Sequence, residues 1–148
     1  MHLWALLTTG RGRVLDEPPA NAQWRYVRPK ALQKPVRARR AEADTRIDGP
    51  HGVLHARGGV DYIVVHAPGD QAVVRGEIFA RTYEPLGGGL YRKRSDVVLR
   101  YFVLDHPAPI RTLEGVVKAK RGDWVMQGVT GELWPLSSQR GREKYDPA

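Results

Sequence analysis

Asp123-Trp124-Val125-Met126-Gln127, the turn Gly128-Val129-Thr130-Gly131, and the return Glu132-Leu133-Trp134-Pro135-Leu136 decide how this chain is read. Apolar and aromatic residues flank a turn whose glycines can take positive φ, so the stretch reads as a β-hairpin. The same succession occurs earlier, as Asp61 to His66, the turn Ala67-Pro68-Gly69-Asp70, and Gln71 to Val74. A slide of 62 positions lays Asp61–Leu86 on Asp123–Ala148 without a gap. Asp61 then meets Asp123, Gly69 meets Gly131, Tyr83 meets Tyr145 and Pro85 meets Pro147, while Tyr62 meets Trp124. Both stretches read acid, aromatic, aliphatic, aliphatic, then glycine–acid, then Tyr-acid-Pro. Self-similarity at a fixed interval points to a duplicated module.

Working outward, Gly52-Val53-Leu54 resembles Gly115-Val116-Val117, and Lys34-Pro35-Val36 stands where Arg94-Ser95-Asp96 does. Val97 to Leu104 is β-branched and aromatic and reads as a buried strand, ended by Asp105-His106-Pro107-Ala108-Pro109. Its counterpart, Val36 to Arg46, has a polar sequence compatible with a helix, but the repeat assigns it to a strand. Glu77 to Tyr83 reads as a short helix whose Phe79 and Tyr83 close the end of a barrel, and Gly141 weakens the matching helix. The expected fold is mainly β: two tandem small β-barrel or β-roll-like repeats, each ending in a short helix. Residues 1–24 form a partly flexible N-terminal segment, 25–88 the first repeat and 89–148 the second, with Gly87-Gly88-Gly89 as a flexible link. Met1 to Leu7 is too short to cross a bilayer and reads as a strand or a lead-in.

The 148 residues include 16 glycines and 11 prolines, which favours turns over long helices. Cysteine is absent, which excludes disulfides, thiol catalysis and cysteine-bound zinc, and suits a reducing cytoplasm. A net charge of +8 favours an anionic partner, such as nucleic acid or an acidic protein surface, over a membrane.

Thr112-Leu113-Glu114-Gly115, Gly122-Asp123-Trp124-Val125, Gly128 to Leu136 and Tyr145-Asp146-Pro147 together resemble the PGDYG family of small bacterial and phage proteins, named for a Pro-Gly-Asp-Tyr-Gly-like motif. Tyr91-Arg92-Lys93-Arg94 is similar to the basic lead-in of related phage proteins. Arg121 stands where the motif has proline, and Val60 falls at the glycine position of the first copy. The resemblance implies a module type and carries no catalytic residues with it.

Asp61, Tyr62, Gly69, Tyr83 and Pro85, with Asp123, Gly131, Tyr145 and Pro147, read as a structural motif. The carboxylates cap turns and the tyrosines bury their rings. The functional lead is basic: Arg37, Arg39 and Arg40; Arg92, Lys93 and Arg94 with Arg100; and Lys118, Lys120 and Arg121. Trp24, Tyr26, Tyr91 and Trp124 lie beside them. Cationic strands with aromatic platforms are the way small β proteins hold single-stranded nucleic acid, so Tyr91 and Trp124 are taken as base platforms. His51 and His55 are four apart but lack a third ligand, so no metal or cofactor is expected. No serine lies in a nucleophile elbow and no phosphate-cradling glycine loop occurs.

The expected role is a non-catalytic binding module for an anionic partner. Two alternatives stand beside it. One is a small enzyme acting on a nucleotide or phosphate-bearing substrate between the repeats, with His51, His55, His66, Asp105 and His106 as the residues to inspect. The other is a phage-derived interaction subunit that offers an edge strand to a partner protein.

Overall fold

A computed structural model describes residues 13–49 and 52–148. Met1 to Leu7 and His51 therefore lie outside the described residues. The chain is mainly β, with two short helices among the described residues. By its contacts it divides into a central unit, Ala31–Val97, and a terminal unit made of residues 13–30 together with Val98–Ala148.

The central unit is built on a five-stranded antiparallel sheet. Its strands are β2 (Val36–Arg40), β5 (Tyr62–Ala67), β6 (Asp70–Val74), β7 (Tyr83–Gly87) and β8 (Leu90–Lys93), in the order β6-β5-β2-β8-β7. A hairpin of β3 (Thr45–Gly49) and β4 (Gly52–Ala56) and a helix, α1 (Gly76–Thr82), complete it. Strand alternation sorts the side chains by face. On one face Val36, Ala38, Tyr62, Val64 and Tyr91 pack with Phe79 of α1; on the other Ile63 and Val73 pack with Ile47, Leu54 and Ala56 of the hairpin. Full burial of an aliphatic side chain such as Ile63 or Val64 stabilises by about 1.5–3 kcal/mol.

The terminal unit holds β9 (Leu99–Val103), β12 (Trp124–Gln127), β13 (Leu133–Leu136) and β14 (Tyr145–Pro147), together with β1 (Arg25–Pro29) from the far end of the chain. They form a second five-stranded sheet, in the order β13-β12-β9-β1-β14. A hairpin of β10 (Ala108–Thr112) and β11 (Gly115–Ala119) packs on one face, and α2 (Ser138–Lys144) lies on the other. Leu15, Ala22 and Trp24 pack on the hairpin face as well, against a core of Phe102, Leu104, Ile110 and Val125.

The two sheets have matching registers. Arg40 lies opposite Tyr62 and Tyr62 opposite Val74; Val103 lies opposite Trp124 and Trp124 opposite Leu136. Thr45 faces Ala56 as Ala108 faces Ala119, and Glu84 faces Arg92 as Asp146 faces Arg28. β8 thus occupies in the central unit the place that β1 takes in the terminal one.

Several expectations are corrected. Neither unit closes into a barrel: each sheet keeps two edge strands, whose prolines (Pro85, Pro135 and Pro147) sit where a missing N–H is tolerated. Neither ends in its helix, because β7 or β14 follows. The units do not divide at 88/89. β8 pairs with β7 and β2, and β1 pairs with β9 and β14. Gly87-Gly88-Gly89 is therefore the turn inside the β7–β8 hairpin, all three at positive φ, rather than a link.

The register also moves the upstream alignment. Val36 corresponds to Leu99, not to Asp96, so Arg37 falls on Arg100, Ile47 on Ile110 and Ala56 on Ala119. Val60 is an extra residue and not the counterpart of a glycine. The Gly59 N–H donates to the Ala41 carbonyl (2.6 Å) as the Gly122 N–H donates to the Leu104 carbonyl (2.8 Å). Ala41 N–H then donates to Asp61 O and Leu104 N–H to Asp123 O, each at 2.9 Å. Gly59 (φ 74°) and Gly122 (φ 89°) make the same turn, which a side chain at that φ strains.

Candidate functional site

The Gly-Asp-aromatic motif has a local physical basis. After the glycine turns the chain, the Asp61 carboxylate accepts hydrogen bonds from Arg57 N (2.9 Å), Arg57 Nε (3.0 Å), Arg57 Nη2 (2.8 Å) and Gly76 N (3.3 Å). It ties the β4–β5 turn to the start of α1 while only 3% exposed. The hydrogen bonds from the Arg57 side chain hold its pKa below the ordinary carboxylate value; burial opposes them and backbone N–H groups reinforce them. Asp123 accepts from Lys120 N (2.9 Å) at the matching turn. The aromatic residue that follows goes under the helix. Tyr62 stacks on Phe79 (centroids 3.9 Å apart, planes at 7°), and Trp124 stacks on Tyr101 (3.8 Å, 8°). Tyr83 stacks on Phe79 at 4.6 Å, and burial pushes its hydroxyl pKa up to about 12. Gly69 and Gly131 take positive φ at the hairpin turns, and Tyr145 is buried.

The basic residues are distributed over both units. In the central unit Arg37 and Arg39 alternate with Ala38 on the middle strand, so they lie on the hairpin face, and both are exposed. Arg37 Nη1 donates to Gly88 O (3.3 Å); Arg39 has no polar partner among the described residues. Leu90 lies opposite Arg37, and Arg92, two residues along β8, shares its face and pairs with Glu84 (2.9 Å). Arg40 lies on the helix face, with its guanidinium 5.6 Å from the Tyr62 ring centre and 3.2 Å from the hydroxyl. Lys93, half-buried, lies opposite Tyr83. Arg94 pairs with Asp96 (2.8 Å), which raises the arginine pKa and lowers that of the aspartate.

In the terminal unit Lys118 is exposed on β11, while Lys120 and Arg121 are exposed in the turn before β12. Arg100 lies on the middle strand. Its guanidinium lies 3.9 Å from the Trp24 ring centre, and its Nε donates to Gln127 Oε1 (2.7 Å). Trp24 is in turn fixed edge-on against Phe102 (5.4 Å, 89°).

Neither aromatic residue taken as a base platform is available. Trp124 is only 7% exposed beneath α2, and Tyr91 packs edge-on against Phe79 (4.9 Å) within the helix-face core. Both alternate onto the covered face. Sequence reasoning placed Trp24 and Tyr26 near the basic clusters but missed their connection to Arg100 and Gln127. Tyr26 and Gln127 lie directly opposite Arg100 on the flanking strands. Tyr26 is 50% exposed.

Among the described residues the histidines form no common site. His55 lies outward opposite Arg46, His66 is exposed at the end of β5, and His106 Nδ1 pairs with its neighbour Asp105 at 2.5 Å. No cluster of three potential metal ligands occurs among the described residues, and no helix among them is long and apolar enough to cross a membrane. No family model, curated protein or solved structure matches the chain.

Proposed function

We propose that this protein is a non-catalytic binding module whose central unit holds an anionic strand, such as single-stranded nucleic acid, on its hairpin face. The observation that carries this is the pair Arg37 and Arg39, exposed on a middle strand. In a sheet packed on both faces the middle strand ordinarily buries both sides, whereas here only the helix side is buried, through Ala38. At the matching positions the terminal unit has Arg100 and Phe102, and Trp24 packs on both. The central unit instead leaves a cationic row there, with Leu90 and the Arg92–Glu84 pair alongside. The matching registers further support descent of both units from one duplicated module of the PGDYG type, with β8 and β1 exchanging places at the ends of the copies.

The test is binding of a labelled single-stranded oligonucleotide across a salt series. Arg37→Glu with Arg39→Glu is expected to weaken binding about tenfold or more at low salt. It should also flatten the log-affinity slope by about 1.4, since each single-strand phosphate contact contributes about 0.7. Circular dichroism should be unchanged, because both side chains are exposed. Absence of binding at low salt, or an unaltered slope in the double variant, would overturn the reading.

A further inference from the structure

Tyr26, Arg100 and Gln127 form one cross-strand row over β1, β9 and β12, on the hairpin face of the terminal unit. The row opens into a groove of about 180 Å³, lined also by Val98, Leu99, Gly128 and Val129. Arg100 is held from two directions: its guanidinium carbon lies over the Trp24 ring, and its Nε donates to Gln127. Both Nη nitrogens lack a hydrogen-bond partner among the described residues. A guanidinium fixed in this way has lost its conformational freedom before a ligand arrives and presents two parallel donors, the arrangement that grips an oxyanion bidentately.

The register-equivalent row of the central unit is an internal comparison. It keeps the arginine as Arg37 but has Leu90 in place of Tyr26 and Val65 in place of Gln127. The arginine alone is thus common to both sheets; its polar and aromatic neighbours are peculiar to the terminal unit. Tyr26, half exposed beside the guanidinium, adds a flat ring face to the anion donors, and Val98, Leu99 and Val129 add an apolar wall. Donors for an oxyanion next to a ring face and an apolar wall match a nucleotide, which carries phosphate and base on one small frame.

We infer that this groove is a nucleotide-phosphate site: Arg100 holds the phosphate oxygens through its Nη atoms, and Tyr26 stacks on the base. The inference rests on the reading of the protein as a binder of nucleic-acid-like anions, and assigns a second point of contact with its own chemistry.

The experiment is calorimetric titration of the full chain with 5′-AMP, inorganic phosphate and benzoate. AMP is expected to bind more tightly than inorganic phosphate. Arg100→Gln should weaken AMP about tenfold or more, with Arg100→Lys falling between, because lysine keeps the charge and loses the fork. Tyr26→Ala should weaken AMP and leave inorganic phosphate unchanged. In the double variant of Arg37 and Arg39, AMP binding should still depend on Arg100. AMP binding that is indifferent to both Arg100 variants overturns the site, as does benzoate binding as tightly as AMP. The two claims fail separately. Oligonucleotide binding lost in the Arg37 and Arg39 variant, with AMP indifferent to Arg100, leaves the strand-binding reading standing alone. AMP bound through Arg100, with no oligonucleotide affinity, leaves the groove standing alone.

Discussion

Gly141→Ala will destabilise the terminal unit, although helix propensity alone predicts the opposite. Alanine is favoured over glycine by about 1 kcal/mol in a helix interior. A Cβ at residue 141, however, would lie 2.3 Å from Cε3 and 2.4 Å from Cζ3 of Trp124. The indole has nowhere to go, being buried and stacked on Tyr101. Overpacking of this kind costs about 1–3 kcal/mol and occasionally more, so packing outweighs propensity. Gly141→Phe should cost more still. The central unit fills the same space differently: Ala38, Tyr62 and Phe79 stand where the terminal unit has Tyr101, Trp124 and Gly141. Introducing Tyr101→Ala and Trp124→Tyr together with Gly141→Phe should therefore recover much of the stability lost with Gly141→Phe alone. Urea denaturation of the four proteins decides it, and a Gly141→Ala variant more stable than the parent would refute the packing account.

The second large effect is expected at Asp61. Asp61→Ala removes a buried acceptor that serves two backbone N–H groups and both ends of the Arg57 fork, for a loss of about 2–3 kcal/mol. Asp123→Ala removes one such bond among those described and should cost about 1 kcal/mol. The pH dependence follows from the depressed pKa of Asp61. In acid the unfolded chain takes up this proton before the folded one does, so stability rises with pH through that range. The contribution is complete above the ordinary carboxylate value of about 4. It is lost as pH falls through the lower, folded value. The gap in urea midpoint between the parent and Asp61→Asn should accordingly be widest near neutral pH and narrow in acid. A gap that is constant with pH would mean that the charge of Asp61 contributes nothing.

The β5–β6 and β12–β13 hairpins and the two helices were legible because their signals are local: glycines at the turns, alternating strands, and a tyrosine that ends each helix; the β7–β8 hairpin was missed because its three glycines read equally well as a link. The Asp61 and Asp123 turns were legible as structure for the same reason. What escaped was whatever depends on pairing at long range. A single extra residue, Val60, put the upstream strands out of step with the interval of 62 and hid the match of Arg37 with Arg100. Strand alternation separates two faces but does not say which face a helix will cover, so Trp124 and Tyr91 read as platforms when they are core. The row of Tyr26, Arg100 and Gln127 was out of reach altogether, since its first member arrives on a strand from the opposite end of the chain.

That strand bears on how the protein emerges from the ribosome. β1 is synthesised before the central unit, yet both of its pairing partners, β9 and β14, are made after it. The central unit has all its strands within residues 36–93 and can assemble while the rest is still being translated. β1 must wait through the whole of that process with both its edges unsatisfied. Its charged residues, Arg25 and Arg28, stand one on each face and are of the kind that keep a waiting strand from pairing with the wrong neighbour.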